Sequence, residues 1–183
     1  MTIWFSSDFH FGHENIIRYC NRPFENAAIM DEMLVDLHNA YVKPSDHFYT
    51  LGDVTMERDG QGRGLEILAR LNGHKRLIMG NHDHYAIKHY VKWFEKVMAM
   101  QMMDNIRFTH IPVHPGSMGR ATANVHGHIH DQDSPAPHVY VDKYGKSSVH
   151  PYINISLERT NYHPLSFEEI KDLIRLEKDK YER

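Results

Sequence analysis

Five short apolar runs, each leading directly into Asp, His or Asn, constrain this chain more than any other feature of its sequence. Residues 2–7 lead into Asp8 and His10, residues 47–51 into Gly52-Asp53, and residues 76–79 into Gly80-Asn81-His82-Asp83. Residues 107–109 end at His110, and residues 123–125 lead through His126 to Gly127-His128-Ile129-His130. Each run has the length of an ordinary β-strand, and 152–157 is a sixth candidate. Amphipathic stretches lie between them. In 25–42, Ile29, Met30, Met33, Leu34, Leu37 and Tyr41 fall at helical spacing. Segments 65–71 and 85–97 are also predicted helical, and Ser166-Phe167-Glu168-Glu169 is a capping box opening a final helix. The lysine- and glutamate-rich tail after it is read as a solvated helix end. Strands alternating with helices predict an α/β fold. In such folds, ligands collect at the carboxyl ends of the strands, where all these polar residues fall.

Asp8-x-His10 and His128-x-His130 would put two donors on one side of an extended segment, because side chains alternate with period two. Glycines at 52, 80 and 127 stand one residue before a candidate ligand, where the backbone can turn sharply or approach an ion closely. Histidine is abundant, with 16 among 183 residues, and neutral imidazole is the commonest protein ligand for transition metals. Asp8, His10, Asp53, Asn81, His110, His128 and His130 form a mixed oxygen and nitrogen set without sulfur. That set suits borderline divalent metals. It is too large for one tetrahedral ion and right for two ions sharing a bridge. Taken singly, a Gly-Asp or Gly-Asn-His-Asp is an ordinary turn. The order of the pieces, each after an apolar run, carries the reading.

Other features exclude alternatives. Cys20 is the only cysteine, so an internal disulfide and a cysteine-based zinc site are both ruled out, and a disulfide-built secreted scaffold is not expected. The amino terminus shows no signal-peptide pattern, and no apolar run approaches the ~20 residues of a membrane span. A soluble, cytoplasmic protein is the expectation. Net charge is −3, which argues against an extended nucleic-acid-binding surface. The length fits one domain, 1–183. Two stretches read as irregular: 56–64, with three glycines, and 131–151, with three prolines and the turn signal Lys143-Tyr144-Gly145-Lys146. The second could hold a hairpin at the mouth of a site or make a dimer contact.

The ordered set Asp8-x-His10, Gly52-Asp53, Gly80-Asn81-His82-Asp83, His110 and Gly127-His128-x-His130 resembles the signature of the calcineurin-like metallophosphoesterase superfamily. The opening Trp4-Phe5-Ser6-Ser7-Asp8-Phe9-His10-Phe11-Gly12-His13 and Cys20-Asn21-Arg22-Pro23-Phe24 are similar to its small phage and bacterial members, which would place the chain in a bacterial cell or a phage-infected host. The resemblance implies two packed mixed β-sheets flanked by helices, a four-layer sandwich. It implies that Asp8, His10 and His130 hold a first metal, Asn81, His110 and His128 a second, and that Asp53 bridges both. His82 would face the substrate as a catalytic group. His110 is preferred over His114 because it directly ends its strand and the family places His-x-Pro there. Asp83 stands where the family's protein phosphatases carry Glu, which turns the reading from phosphoproteins towards small molecules.

The implied function is hydrolysis of phosphodiesters, and of monoesters as well, of small molecules such as nucleotides. Two divalent ions, manganese first and iron, zinc or nickel as substitutes, would present a bridging hydroxide for in-line attack on phosphorus. The alternatives are a non-catalytic metal-binding scaffold of the same fold and a hydrolase of a non-phosphate ester. Among the remaining candidates, Arg22 is a phosphate contact, and His13, His84 and His114 lie near the site. His126 is either a supporting residue or buried packing. His38, His47, His74, His89, His138, His150 and His163 are surface or supporting histidines. Tyr19 and Phe11 are read as core packing in preference to stacking on a base or aromatic leaving group.

Overall fold

A computed structural model describes residues 1–57 and 59–181. Arg58, inside the expected 56–64 loop, and Glu182 and Arg183, at the expected solvated tail, lie outside the described residues. In chain order the elements are β1 (Ile3–Ser6), α1 (Glu14–Tyr19), α2 (Ala27–Tyr41), β2 (His47–Thr50), β3 (His74–Ile78), α3 (Ile87–Tyr90), β4 (Lys96–Met98), β5 (Gln101–Met103) and β6 (Ile106–Phe108). They continue with β7 (Ala123–His126), β8 (His138–Val141), β9 (Ser147–His150), β10 (Tyr152–Asn154), β11 (Leu165–Ser166) and α4 (Phe167–Asp179). No helix among the described residues is long and apolar enough to cross a membrane.

Two mixed sheets organise the chain. The first has the order β11-β1-β2-β3-β4, with β1 to β4 parallel and β11 antiparallel to β1. The second has the order β10-β7-β6-β5, parallel except for the β5–β6 pair. A separate two-stranded ribbon, β8–β9, falls within 131–151, as the turn signal there predicted. Strand alternation sends Phe48 and Leu77 of the first sheet to one core, with Leu34, Met30 and Val35 of α2. Phe5 and Ile78 point the other way, into a second core with Phe108 and Val125 of the second sheet and Ile170 and Ile174 of α4. Phe5 of β1 and Phe108 of β6 stack at 4.4 Å between centroids, which joins the two sheets face to face. Both faces of the first sheet thus contribute to a core, through Phe48 and Leu77 on one side and Phe5 and Ile78 on the other, whereas His74, Lys75 and Arg76 at the start of β3 stay partly or fully exposed. At α4, Ser166 Oγ accepts from Glu169 N–H and the Glu169 carboxylate accepts from Ser166 N–H, completing the predicted capping box.

The structure departs from the sequence expectation in two elements. Segment 85–97 is helical only over Ile87–Tyr90. Its end instead becomes β4, where Val97 pairs with Leu77 at the sheet edge. Pairing with β3 overrides the helical spacing of its apolar residues. Segment 65–71 forms a 3₁₀ helix over Arg63–Arg70.

His38 was expected at the surface or in a supporting role, and it is 1% exposed. Its Nε2 donates to the Asn72 carbonyl at 3.0 Å, and its ring packs edge-on against Phe48. Burial pushes its imidazole down to about 4, against the raising effect of the Asn72 carbonyl. The folded protein thus favours neutral His38, while the unfolded chain takes a proton below about 6.5. Its contribution to stability is fully present above that value and is lost as pH falls towards 4. By pH 5 the loss is about 2 kcal/mol. Urea unfolding at pH 7.5 and pH 5.0 should show wild type losing about that much more than His38→Gln. Equal losses would remove His38 as the source.

Candidate metal centre

The carboxyl ends of β1, β2 and β3 in one sheet and β6 and β7 in the other converge on one place. Backbone bonds stitch the loops together: Asp8 N–H donates to the Gly52 carbonyl, His10 N–H to that of Asp53, and Gly127 N–H to that of His110. Asp8, His10 and His130 form one group whose ligand atoms lie within 4.8 Å of one another, and Asp53, His110 and His128 form a second. Asp53 sits between the two. Its Oδ2 is 3.6 Å from His10 Nε2 and 3.3 Å from His110 Nε2, while its Oδ1 accepts from His82 N–H at 2.8 Å. Asn81 joins the second group through Oδ1, 2.8 Å from His110 Nε2. All seven sequence-predicted residues are therefore gathered at this edge. His114 is exposed and bonds only its own turn at Gly116 N–H, so the structure separates it from His110.

The loops reach this arrangement by a route different from the expected one. Asp8, His10, Asp53, His128 and His130 all have φ between 51° and 72°, the left-handed region. Neither Asp8-x-His10 nor His128-x-His130 is extended, and period-two alternation does not bring these donors together. Left-handed turns at non-glycine residues are uncommon and cluster at functional sites. Two glycines complete the packing. A Cβ at Gly80 would collide with the Asp53 carboxylate, and one at Gly127 with Ser7 Oγ and the Asp8 carboxylate.

The donor chemistry fits bound cations. His110 Nδ1 donates to the Leu51 carbonyl at 2.6 Å, so a neutral ring turns the lone pair of Nε2 towards the Asp53 carboxylate. Both ring nitrogens of His10 are buried without a hydrogen-bond partner. An imidazole lone pair facing a carboxylate needs positive charge between them, supplied by a proton or a metal ion. His130 shows the same demand: burial lowers its basicity, but Cys20, Glu158 and Asp8 outweigh that and push it up to about 10. For Asp53, burial acts to raise the carboxyl, and the His110 and His10 rings with the His82 N–H outweigh it, holding it at about 2. Burial keeps His10 itself well below the usual histidine range, leaving it neutral and able to coordinate.

A second layer of residues fixes these donors, and no local spacing points to it. Ser156 Oγ and His128 N–H donate to the Asp8 carboxylate at 2.9 and 3.0 Å. Asp83 is buried and accepts N–H bonds from Asp53, Val54 and Gly80, tying the second and third loops together. Burial pushes its carboxyl up to about 6 against those donors. His130 Nδ1 lies 3.1 Å from Glu158 Oε1, a carboxylate contact common among metal-binding histidines, and Cys20 also lies close to the ring. His126 is fully buried, bonded to the Gly127 carbonyl and Ser134, and is packing behind the site.

Arg22 is not a phosphate contact. Its guanidinium is buried, donates to the carbonyls of Asp8 and Phe9, and pairs with Glu158 at 2.8 Å. All its bonds point into the protein, where it holds the first loop in shape. Arg22→Met should leave the buried Glu158 with His130 as its remaining charged partner and the Asp8 and Phe9 carbonyls without their donor, at a cost of about 3 kcal/mol. The metal-free protein should then melt about 10 °C lower. Adding Glu158→Gln should recover part of that loss, whereas an equal or lower melting point for the double variant would show that the loss comes from the carbonyl bonds of Arg22 and not from its pairing with Glu158.

No protein-family model matches the chain. Among solved structures, a protein of unknown function from Aquifex aeolicus, AQ665, is similar over 94% of this chain and 99% of its own, at 25% identity and a TM-score of 0.65. A metallophosphoesterase from Sphaerobacter thermophilus overlaps more loosely, covering 85% of this chain and 77% of its own at 12% identity and a TM-score of 0.39. Among curated proteins, the uncharacterized protein MJ1445 of Methanocaldococcus jannaschii is 34% identical over 172 residues, spanning 94% of this chain and 90% of its own. At that identity over nearly the full length of both, the chain belongs to the family of MJ1445.

Proposed function

We propose that this protein is a metal-dependent phosphoesterase acting on small phosphate esters such as nucleotides. The observation that carries the reading is the Asp53 carboxylate, shared between two ligand groups while it also binds the backbone of His82. Asp8, His10, His130 and Asp53 would hold one divalent ion, and Asn81, His110, His128 and Asp53 the other, with manganese suited to this mixed set. Such ions, when bound, polarise phosphoryl oxygens and make water nucleophilic near neutral pH.

The chain's own residues supply the rest. Asp53 fixes the relation between the two groups. Its bond to His82 N–H places the His82 ring 5.6 Å from that of His10, at the edge of the first group. The His82 Nδ1 is buried and has no hydrogen-bond partner. A group placed there can protonate the leaving oxygen or stabilise its developing charge. Ser156, Glu158 and Asp83 hold the donors in position.

The test is metal-reconstituted hydrolysis of p-nitrophenyl phosphate and bis-p-nitrophenyl phosphate by protein first stripped with chelator. Turnover should require added divalent metal, with the diester preferred. Two ions bound per chain with no turnover of either ester would leave a binding scaffold or a non-phosphate hydrolase.

A further inference from the structure

A cavity of about 430 Å³ opens beside the first ligand group, lined in part by His10, His82 and His130. Ile16 and Tyr19 of α1, His13 just before it and Met56 also line the cavity, with the His13 ring 5.5 Å from that of His10. The sequence reading placed Phe11 and Tyr19 together in the core, and the structure separates them. Phe11 is 1% exposed, whereas Tyr19 is 72% exposed and lines this cavity. Single exposed aromatic residues are normal, so exposure alone carries nothing. Here it coincides with Ile16 and Met56 and with two imidazoles whose Nδ1 has no hydrogen-bond partner among the described residues. The His13 ring meets the Tyr19 ring edge-on at 6.3 Å, and Nδ1 of both His13 and His82 is buried and unbonded.

We infer that this cavity is the leaving-group pocket, and that it takes a flat aromatic moiety such as a nucleoside base against Tyr19 and Met56. The inference rests on the phosphoesterase reading and adds to it the place where the substrate's organic group is held and the residues that select it. The volume is that of an ordinary small-ligand site. His82 lines the same cavity, so a leaving oxygen within its reach would carry its organic group in among Ile16, Tyr19 and Met56. The His13 ring lines the same cavity and can meet a polar edge of that group. Stacking of a base on an aromatic side chain is sequence-tolerant and strong enough to change affinity by roughly 10–100-fold.

The experiment compares adenosine 5′-phosphate with glycerol phosphate, or their methyl diesters if only diesters react. Both release a primary alkoxide, so intrinsic reactivity is matched. Wild type should favour the nucleoside ester in kcat/KM by roughly 10-fold or more. Tyr19→Ala should bring that ratio close to one, chiefly through KM for the nucleoside ester, and Tyr19→Phe should keep it. A ratio near one in wild type, or a ratio unmoved by Tyr19→Ala, overturns the pocket while hydrolysis itself leaves the phosphoesterase reading standing. Failure to hydrolyse any ester, nitrophenyl esters included, overturns both.

Discussion

Asp53→Asn should lower metal-dependent turnover by roughly 10³–10⁴-fold and remove at least one bound ion per chain. The substitution is nearly isosteric, so what changes is charge and hydrogen-bonding sense. One side-chain oxygen can still accept from His82 N–H, as Oδ1 does now. The other position, where Oδ2 lies 3.3 and 3.6 Å from His110 Nε2 and His10 Nε2, becomes an NH₂ group. A donor there cannot coordinate a cation, and both ligand groups lose their shared anionic oxygen in one step. Metal ions contribute several kcal/mol of transition-state stabilisation, and each 1.36 kcal/mol is a factor of ten in rate, which sets the expected range. Equilibrium dialysis against manganese, turnover and circular dichroism should be read on the same sample. A folded variant that binds two ions and turns over like wild type would show that the two groups act independently of Asp53.

The strands and their polar ends were legible for a physical reason. Phe5 of β1, Phe48 of β2 and Leu77 and Ile78 of β3 are buried in the two cores on either side of the sheet, so each strand carries a short apolar run, and the polar residues that follow it mark the sheet edge. What brings the donors together there was not legible. Five of the seven reach the site through left-handed backbone, and nothing in Asp-x-His or His-x-His distinguishes that from an extended chain. Asp8 and His10 do fall in one group, whereas His128 and His130 go to different groups, and both arrangements are made by turns and not by alternation. The supporting layer was hidden for another reason: its contacts span the chain. Arg22 and Glu158 are 136 residues apart, and Ser156 and Asp8 are 148 apart, so no local spacing reveals either bond. Arg22 invited a phosphate-binding role because an arginine near a phosphate site is ordinarily a ligand. Its burial against two carbonyls and a carboxylate decides otherwise. Asp83 looked like one more turn residue, and only the fold shows its carboxylate binding the backbone of the loop that carries Asp53.

His82→Ala should slow turnover by roughly 10²–10⁴-fold and leave metal content unchanged. Metal content should hold because neither ligand group contains His82, which is attached to Asp53 through its backbone N–H and keeps that bond as alanine. The size of the deficit should depend on the leaving group. p-Nitrophenolate departs readily without a proton, so its esters should fall at the low end of the range. An alkoxide departs poorly unless protonated, so nucleoside and glycerol esters should fall at the high end. A deficit that grows with leaving-group basicity assigns His82 as the acid. One that is the same for every ester assigns it to stabilising charge on the phosphoryl group, and unimpaired turnover of all of them removes His82 from the reaction.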